Sequence, residues 1–171
     1  IEIGYTHIDT AELYGAGHTD ELIGEAIKGM DRSKLIITNK VFKTNLKYDD
    51  VITACKTSLE KLQTDYIDIY LIHAPNPDVP LEETMKAMDY LVEKKLVKYI
   101  GVSNFSVAQM EEAQKYSTNK IIANQIPYNL ATRNVNLTRN INRVGGCNNM
   151  ESEIIPYCQK NNLIVMAYRP I

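Results

Sequence analysis

The chain has little of three things that would mark a specialised class: cysteine, charge of one sign, and long apolar runs. Its 171 residues include only Cys55, Cys147 and Cys158, too widely spaced for a Cys-x-x-Cys metal or redox motif and odd in number for a disulfide framework. A formal net charge of -2 leaves no basic surface for nucleic acid or anionic membrane. We also expect no signal peptide and no membrane-length apolar segment. We therefore expect a reducing, cytoplasmic setting, no nucleic-acid or membrane partner, and no metal site.

What the chain does contain is a regular alternation of short β-branched runs and helical patterns. Alternation of this kind is typical of βα units that build a parallel sheet within one domain, here residues 1–171. The predicted strands lie near residues 5–9, 35–40, 66–73, 98–103, 121–126 and 163–168. Helical spacing predicts core-facing stripes, which comprise Leu22, Ile23, Ala26, Ile27 and Met30; Val51, Ile52, Cys55, Leu59 and Leu62; and Met85, Met88, Leu91 and Val92.

Local signals add detail to this pattern. Thr19 is expected to cap one helix, and Ser106 with Gln109 matches a capping box that opens another. Residues 74–80 contain three prolines and predict a rigid loop. Residues 134–150 are rich in asparagine, lack periodicity and predict a long polar loop insertion before a helix near 152–161. Arg139 and Arg143 in that insertion are interpreted as solvated, with a phosphate contact as the alternative.

Each predicted strand ends in a polar or ionisable residue. These residues are Asp9, Lys40, His73, Ser103 with Asn104, Gln125 and Tyr168. In an α/β barrel, ligands meet the carboxyl ends of the parallel strands, where the following loops converge. One such residue could be a satisfied polar group at a strand end, but six in register predict a site.

Four residues could reduce a carbonyl group together. Tyr14 could give a proton to a developing alkoxide only if something stabilises its phenolate, because an unperturbed phenol has a pKa of about 10. A Lys40 ammonium would do so, and Asp9 would keep that ammonium charged and oriented. His73 could hydrogen-bond the carbonyl oxygen and orient it. Taken singly, each could equally be structural: a turn aspartate, a loop tyrosine, a solvated lysine, a buried histidine.

Six segments resemble successive signature segments of the aldo-keto reductase superfamily. They are residues 4–15 (GYTHIDTAELYG), 38–40 (TNK), 67–73 (IDIYLIH), 101–105 (GVSNF), 124–129 (NQIPYN) and 167–168 (AY). The resemblance implies a (β/α)8 TIM barrel that reduces aldehydes or ketones to alcohols. It also implies NADPH as the usual hydride donor, with NADH as the alternative, and a small-molecule carbonyl substrate.

The resemblance also implies roles for eight residues. The family's catalytic tetrad carries over to Asp9, Tyr14, Lys40 and His73. Its groups that hold the nicotinamide carboxamide carry over to Ser103, Asn104 and Gln125, and the tyrosine that stacks on the nicotinamide ring carries over to Tyr168.

Departures from the family pattern predict an incomplete barrel of about six of the eight βα units. The first strand is expected before Ile1, which is not a methionine, and the last unit, with most of the grip on the cofactor phosphates, after Ile171. An open barrel of this kind could self-associate through its unpaired sheet edges.

The residues leave three functional interpretations open. The first is a reductase, of which this chain is a portion. The second is a non-catalytic or degenerate fragment that binds cofactor weakly or not at all. The third is an aldolase that uses Lys40 as a Schiff-base nucleophile, which Asp9 argues against because a neighbouring carboxylate keeps an amine protonated.

Overall fold

The computed structural model describes residues 4–130 and 149–170. Cys147 and nearly all of the predicted insertion at 134–150, with Arg139 and Arg143, lie outside the described residues. Within the described part, strands alternate with helices along the chain. The strands are β1 (His7–Asp9), β2 (Ile36–Val41), β3 (Ile67–Ile72), β4 (Val97–Ser103), β5 (Ile121–Pro127) and β6 (Ile164–Tyr168). The α-helices are α1 (His18–Ala26), α2 (Tyr48–Leu62), α3 (Leu81–Glu93), α4 (Val107–Tyr116) and α5 (Ile155–Lys160).

The strands form one parallel sheet in the order β1-β2-β3-β4-β5-β6. All six predicted strands are confirmed, with ends shifted by at most two residues. The sheet is strongly curled. This is shown by a hydrogen bond of 2.6 Å that Gln125 on β5 donates to Asp9 on β1. In a flat sheet these strands, four positions apart, would be about 19 Å from each other. The curl therefore brings the carboxyl ends of distant strands together on the concave side.

The helices cover the convex side of the sheet, and the main core lies between the two layers. The predicted stripes of α2 and α3 are confirmed: their members are buried, apart from the partly buried Ile52 and Val92. The stripe near α1 is only partly correct, because Leu22, Ala26 and Met30 are exposed. Helix α1 ends at Ala26, so the helical spacing used to place Met30 does not continue that far.

The concave side holds a smaller apolar cluster of Ile69, Leu71 and Ala123. Gly101 on β4 lies beside it, where an added Cβ would be 2.6 Å from Leu71 Cδ2 and 2.9 Å from the Ala123 carbonyl oxygen. A glycine is therefore needed there for the Leu71 side chain to pack against the sheet.

The local signals are confirmed in part. The Ser106–Gln109 capping box is present at the start of α4, and residues 74–80 form the loop between β3 and α3. Thr19 is not a cap: α1 begins one residue earlier, at His18, and is entered from Gly17. Gly17 has a φ of +89°, a left-handed conformation that glycine adopts without strain, and the chain turns into the helix there without a side-chain cap.

The described cysteines are core residues, as the helical stripe predicted for Cys55. Cys55 and Cys158 are free and buried, and burial raises the pKa of Cys55 to about 12 and that of Cys158 to about 11. Neither is therefore a reactive thiol at neutral pH. Among the helices of the described residues, none combines the length and the apolarity needed to cross a membrane.

Candidate active site

The centre of the site is an ion pair between the ends of β1 and β2, of which the lysine half is buried. The Lys40 side chain is fully buried, and its Nζ donates to Asp9 Oδ1 and, over 2.7 Å, to the Thr10 carbonyl oxygen. The Asp9 side chain remains 37% exposed. Alternation along each strand directs Asp9 and Lys40 to the concave side, so the pair lies where the curled sheet brings the strand ends together.

Tyr14 follows the end of β1 in a tight turn over Tyr14–Gly17. Gly15 and Ala16 both have left-handed backbone conformations in this turn. The Tyr14 ring is 39% exposed, and Lys40 Nζ lies 5.0 Å from its centroid. The sequence thus places a solvent-accessible phenol beside a buried ammonium group.

His73 begins the loop after β3 and completes the predicted set of four. Its backbone N–H donates to the Val41 carbonyl oxygen over 3.0 Å, which ties it to the end of β2. Its ring lies edge-on to Tyr14, with 5.9 Å between centroids. Burial, assisted by the Lys40 ammonium and opposed by Asp9, lowers the pKa of His73 to about 4. The imidazole is therefore neutral at physiological pH, and its Nδ1 is buried with no hydrogen-bond partner among the described residues.

Three of the four residues predicted for the cofactor lie together at the adjoining strands: Ser103 ends β4, Asn104 follows it directly and Gln125 lies on β5. Ser103 Oγ donates to the Gln125 carbonyl oxygen over 3.0 Å. Asn104, which has a φ of +62°, donates through Nδ2 to Ser103 Oγ over 2.9 Å and to the His73 carbonyl oxygen over 3.0 Å. Tyr168, the fourth, donates from its hydroxyl to Asn104 Oδ1 over 2.9 Å.

Gln125 joins this group to the ion pair. Its Nε2 donates to Asp9 Oδ2, while Asp9 Oδ1 accepts from Lys40. The structure therefore brings all eight predicted residues into one connected site, through hydrogen bonds and through the ring contacts of Tyr14.

Sequence reasoning missed two residues at this site. The Phe42 ring packs edge-on against His73, with 5.9 Å between centroids. Glu12 accepts the Phe42 backbone N–H and, over 3.2 Å, an N–H of Asn45, and burial raises its pKa. Their positions in the sequence could have indicated both residues, because Phe42 lies two residues after Lys40 and Glu12 lies between Asp9 and Tyr14.

The site combines a carboxylate, an ammonium, an accessible phenol and a neutral imidazole. Within residues 4–130 and 149–170, no three His, Cys, Asp or Glu side chains are grouped so that they could hold a metal ion. The groups that are present can donate a proton and hydrogen-bond a developing oxyanion.

Comparisons with known proteins agree with this chemistry. The sequence profile of the Aldo/keto reductase family matches residues 1–171. A methylglyoxal reductase of Escherichia coli (strain K12) is 36% identical over 172 residues, which are 100% of this chain and 55% of that protein. The chain spans about half the length of the curated relatives it matches.

Solved structures give the same result. A thermostable aldo-keto reductase in complex with the inhibitor epalrestat superposes with a TM-score of 0.84 at 45% identity, over 98% of this chain and 56% of that one. An aldo-keto reductase from Klebsiella pneumoniae in complex with NADPH gives a TM-score of 0.83 at 35% identity, over 98% and 54%. The curled sheet is thus part of a (β/α)8 barrel, as predicted, and the chain belongs to the aldo/keto reductase family.

Proposed function

We propose that this chain carries the catalytic centre of an NADPH-dependent reductase, with NADH as the alternative donor, that converts small aldehydes or ketones to alcohols. One observation carries the proposal. The Asp9–Lys40 pair holds a buried ammonium 5.0 Å from the ring of a half-exposed tyrosine, which in turn borders His73. Family membership and a methylglyoxal reductase among the relatives support the carbonyl substrate class.

Tyr14 is the proton donor in this proposal. His73 is the other candidate acid near the ring contact, but it is neutral at physiological pH because its pKa is about 4. A neutral imidazole can still donate an N–H hydrogen bond to the substrate oxygen and orient it. Tyr14 then delivers its proton to that oxygen as negative charge develops there.

Lys40, held by Asp9, places a positive charge beside the ring of Tyr14. The ammonium favours negative charge on the neighbouring phenol oxygen, and its own contacts are the carboxylate of Asp9 and the carbonyl oxygen of Thr10. An amine bound only by acceptors acts as an ammonium donor, which disfavours a Schiff-base role for Lys40.

The residues at the ends of β4, β5 and β6 have the chemistry that a nicotinamide ring needs. When bound, this cofactor supplies a hydride. Ser103, Asn104 and Gln125 provide a hydroxyl and two amides for its carboxamide, and the half-buried Tyr168 provides an aromatic face. The Klebsiella pneumoniae relative in complex with NADPH supports this choice of cofactor.

Substitution of Tyr14 by phenylalanine tests the proposal. It removes the proton donor and little else, so aldehyde-dependent oxidation of NADPH should fall by roughly a hundred- to ten-thousandfold. Tyr116→Phe is the matched control, because Tyr116 is also 39% exposed but ends α4, outside the site. Unchanged turnover in Tyr14→Phe, or an equal loss in Tyr116→Phe, would refute the role of Tyr14.

A second candidate is a family member that keeps the four residues but binds cofactor weakly. The observation that favours it is that groups expected to bind the cofactor already form hydrogen bonds within the protein: Tyr168 with Asn104, and Gln125 with Asp9. Fluorescence titration with NADPH separates the two candidates. Saturable binding at micromolar concentration supports the reductase, and its absence supports the weak binder.

A further inference from the structure

A buried carboxylate lies directly behind the ion pair, on the convex side of the sheet. Asp20, in the first turn of α1, is fully buried. Its Oδ1 accepts a hydrogen bond of 2.6 Å from the Thr10 hydroxyl, and its Oδ2 accepts one of 2.9 Å from Asn39 Nδ2. One carboxylate thereby connects the end of β1 to β2.

Both partners of Asp20 also touch Lys40. The Thr10 carbonyl oxygen accepts from Lys40 Nζ over 2.7 Å, and Asn39 Oδ1 accepts from the Lys40 backbone N–H over 2.5 Å. Thr10 follows Asp9 in the chain and Asn39 precedes Lys40. Since successive side chains alternate across a strand, the ion pair faces the concave side while its two neighbours face α1.

The Asp20 carboxylate is stabilised by its two hydrogen bonds and by its position in the first turn of α1. None of the ion pairs in the described ranges includes Asp20. A position in the first helical turn favours a negative charge, but an apolar side chain would fill this buried position without the desolvation that a carboxylate suffers. What a side chain with two polar atoms provides, and an apolar one does not, is a simultaneous hold on Thr10 and Asn39.

We propose that Asp20 is a positioning residue for Lys40. By fixing Thr10 and Asn39, its carboxylate fixes both the ammonium and the backbone amide of Lys40, and thereby the place of the positive charge beside Tyr14. The catalytic consequence rests on the proposed function. The placement of Lys40 does not, and it can be measured without turnover.

Lysine labelling measures that placement directly. Reductive methylation with formaldehyde and cyanoborohydride, followed by peptide mass spectrometry, reports how accessible each amine is. Lys40 is fully buried and should be protected, whereas Lys34, whose side chain is 79% exposed, serves as the internal reference. In Asp20→Ala the methylation of Lys40 relative to Lys34 should rise about tenfold, the factor that corresponds to weakening by about one hydrogen bond, that of the Lys40 ammonium to the Thr10 carbonyl oxygen.

Two further variants separate hydrogen bonding from charge and from folding. Asp20→Asn can keep both contacts, since its amide oxygen can accept from Asn39 and its amide N–H can donate to the Thr10 hydroxyl; Lys40 should stay protected. Thr10→Val removes one of the two contacts and should expose Lys40 even if Asp20→Ala does not fold.

Thr84→Val is the matched control for Thr10→Val. The buried Thr84 also donates one hydroxyl hydrogen bond, to the Leu46 carbonyl oxygen, but it lies in α3. It should leave Lys40 protected.

Kinetics provide the second readout. In the active protein, Asp20→Ala should lower aldehyde reduction by about a hundredfold, as expected when a catalytic group is misplaced. The pH above which aldehyde reduction declines should also rise, because the positive charge beside Tyr14 is displaced. Thr84→Val should lower the unfolding temperature without changing this pH. A Lys40 that stays protected in folded Asp20→Ala and Thr10→Val, or an unmoved pH profile in both, overturns the role of Asp20. An unsubstituted protein that reduces no aldehyde overturns the proposed function, and the labelling result still decides the placement.

Discussion

Two clusters at opposite ends of the barrel strands are built from the same ingredients: a carboxylate, cations and a tyrosine ring. At the carboxyl ends, Asp9 and Lys40 lie beside Tyr14. At the amino ends, Asp68 of β3 pairs with Arg32 over 2.7 Å and with Lys98 over 2.9 Å. Both of these cations lie over the ring of Tyr66, 4.1 and 4.0 Å from its centroid.

The two clusters differ in what they leave available to a ligand. Asp68 accepts from Arg32, from Lys98 and from the Ile37 backbone N–H. Burial acts to raise the pKa of Asp68, but these hydrogen bonds outweigh it, so the pKa lies below its ordinary value. Arg32 makes two further bonds to backbone carbonyl oxygens. This cluster is closed upon itself and binds the segment before β2 to β3 and β4.

The cluster at the carboxyl ends leaves some of its functional groups exposed or without a hydrogen-bond partner among the described residues. Tyr14 is 39% exposed and the Asp9 side chain is 37% exposed, so both are open to a ligand, and the buried Nδ1 of His73 has no partner in the part of the chain that the structure describes. Composition alone therefore does not distinguish the proposed catalytic cluster from the structural one. The number of polar groups left for a substrate does, and barrel enzymes place such groups at the carboxyl face.

The largest difference is expected for Lys40→Met. Loss of the ammonium should slow aldehyde reduction by on the order of a hundredfold or more and move the fall in residual activity to higher pH, because the phenol loses the charge that assists it. The free energy of unfolding should fall by less than the roughly 3 kcal/mol expected when a fully buried pair loses one partner, because the Asp9 side chain is 37% exposed and keeps its hydrogen bond from Gln125. Lys86→Met, on the exposed side of α3, is the control for both measurements. An unmoved pH profile would show that Lys40 and Tyr14 are not coupled.

The opposite pattern is expected for Asp68→Ala. Removing this carboxylate leaves Arg32, whose side chain is only 19% exposed, without its counter-charge. Urea titration should show a loss of about 3 kcal/mol in the free energy of unfolding. Turnover by the folded fraction should stay near that of the unsubstituted protein. A large loss of turnover with normal stability would erase the distinction between the two clusters.

A pH dependence of stability is expected from His73. Its folded pKa of about 4 lies below the ordinary 6.5, so the unfolded chain binds more protons between these values. Stability should therefore be fully present above pH 6.5 and decline as the pH falls toward 4, by at most about 2 kcal/mol after allowance for solvent screening. His73→Gln isolates this contribution from that of Glu12, whose raised pKa acts with the opposite sign. Equal pH slopes in both proteins would contradict the neutral, desolvated imidazole.

The smallest effect is expected for Lys98→Met. The Lys98 side chain is 46% exposed, and exposed ion pairs contribute about 1 kcal/mol or less. Arg32→Met should destabilise the protein more, because Arg32 is less exposed and makes more hydrogen bonds. Equal losses in urea titration would show that the two cations contribute alike to this cluster.

The sequence predicted the six strands from β-branched runs, and seven of the eight candidate site residues stand where those runs end. Tyr14 does not, and it entered the set through the chemistry of the four residues and the family resemblance. The sequence did not predict contacts between distant positions on opposite faces. Asp20 looked like an ordinary acid of a first helical turn, although period-two alternation directs Thr10 and Asn39 toward α1 and could have indicated its role. The bond between Gln125 and Asp9 spans 116 positions and depends on the curl of the sheet. A positive φ at Gly17 replaced the expected cap at Thr19, a choice of backbone conformation that residue type alone does not specify.

A double-mutant cycle on Tyr14 and Lys40 tests most directly the claim that the carboxyl-end cluster delivers one proton through one residue. Aldehyde reduction is measured in Tyr14→Phe, in Lys40→Met and in the combined variant. If Lys40 acts through the phenol, the combined variant turns over as fast as Tyr14→Phe alone, because the group that Lys40 assists is already gone. If the two losses multiply instead, Lys40 acts independently of Tyr14, and this account of the site is wrong.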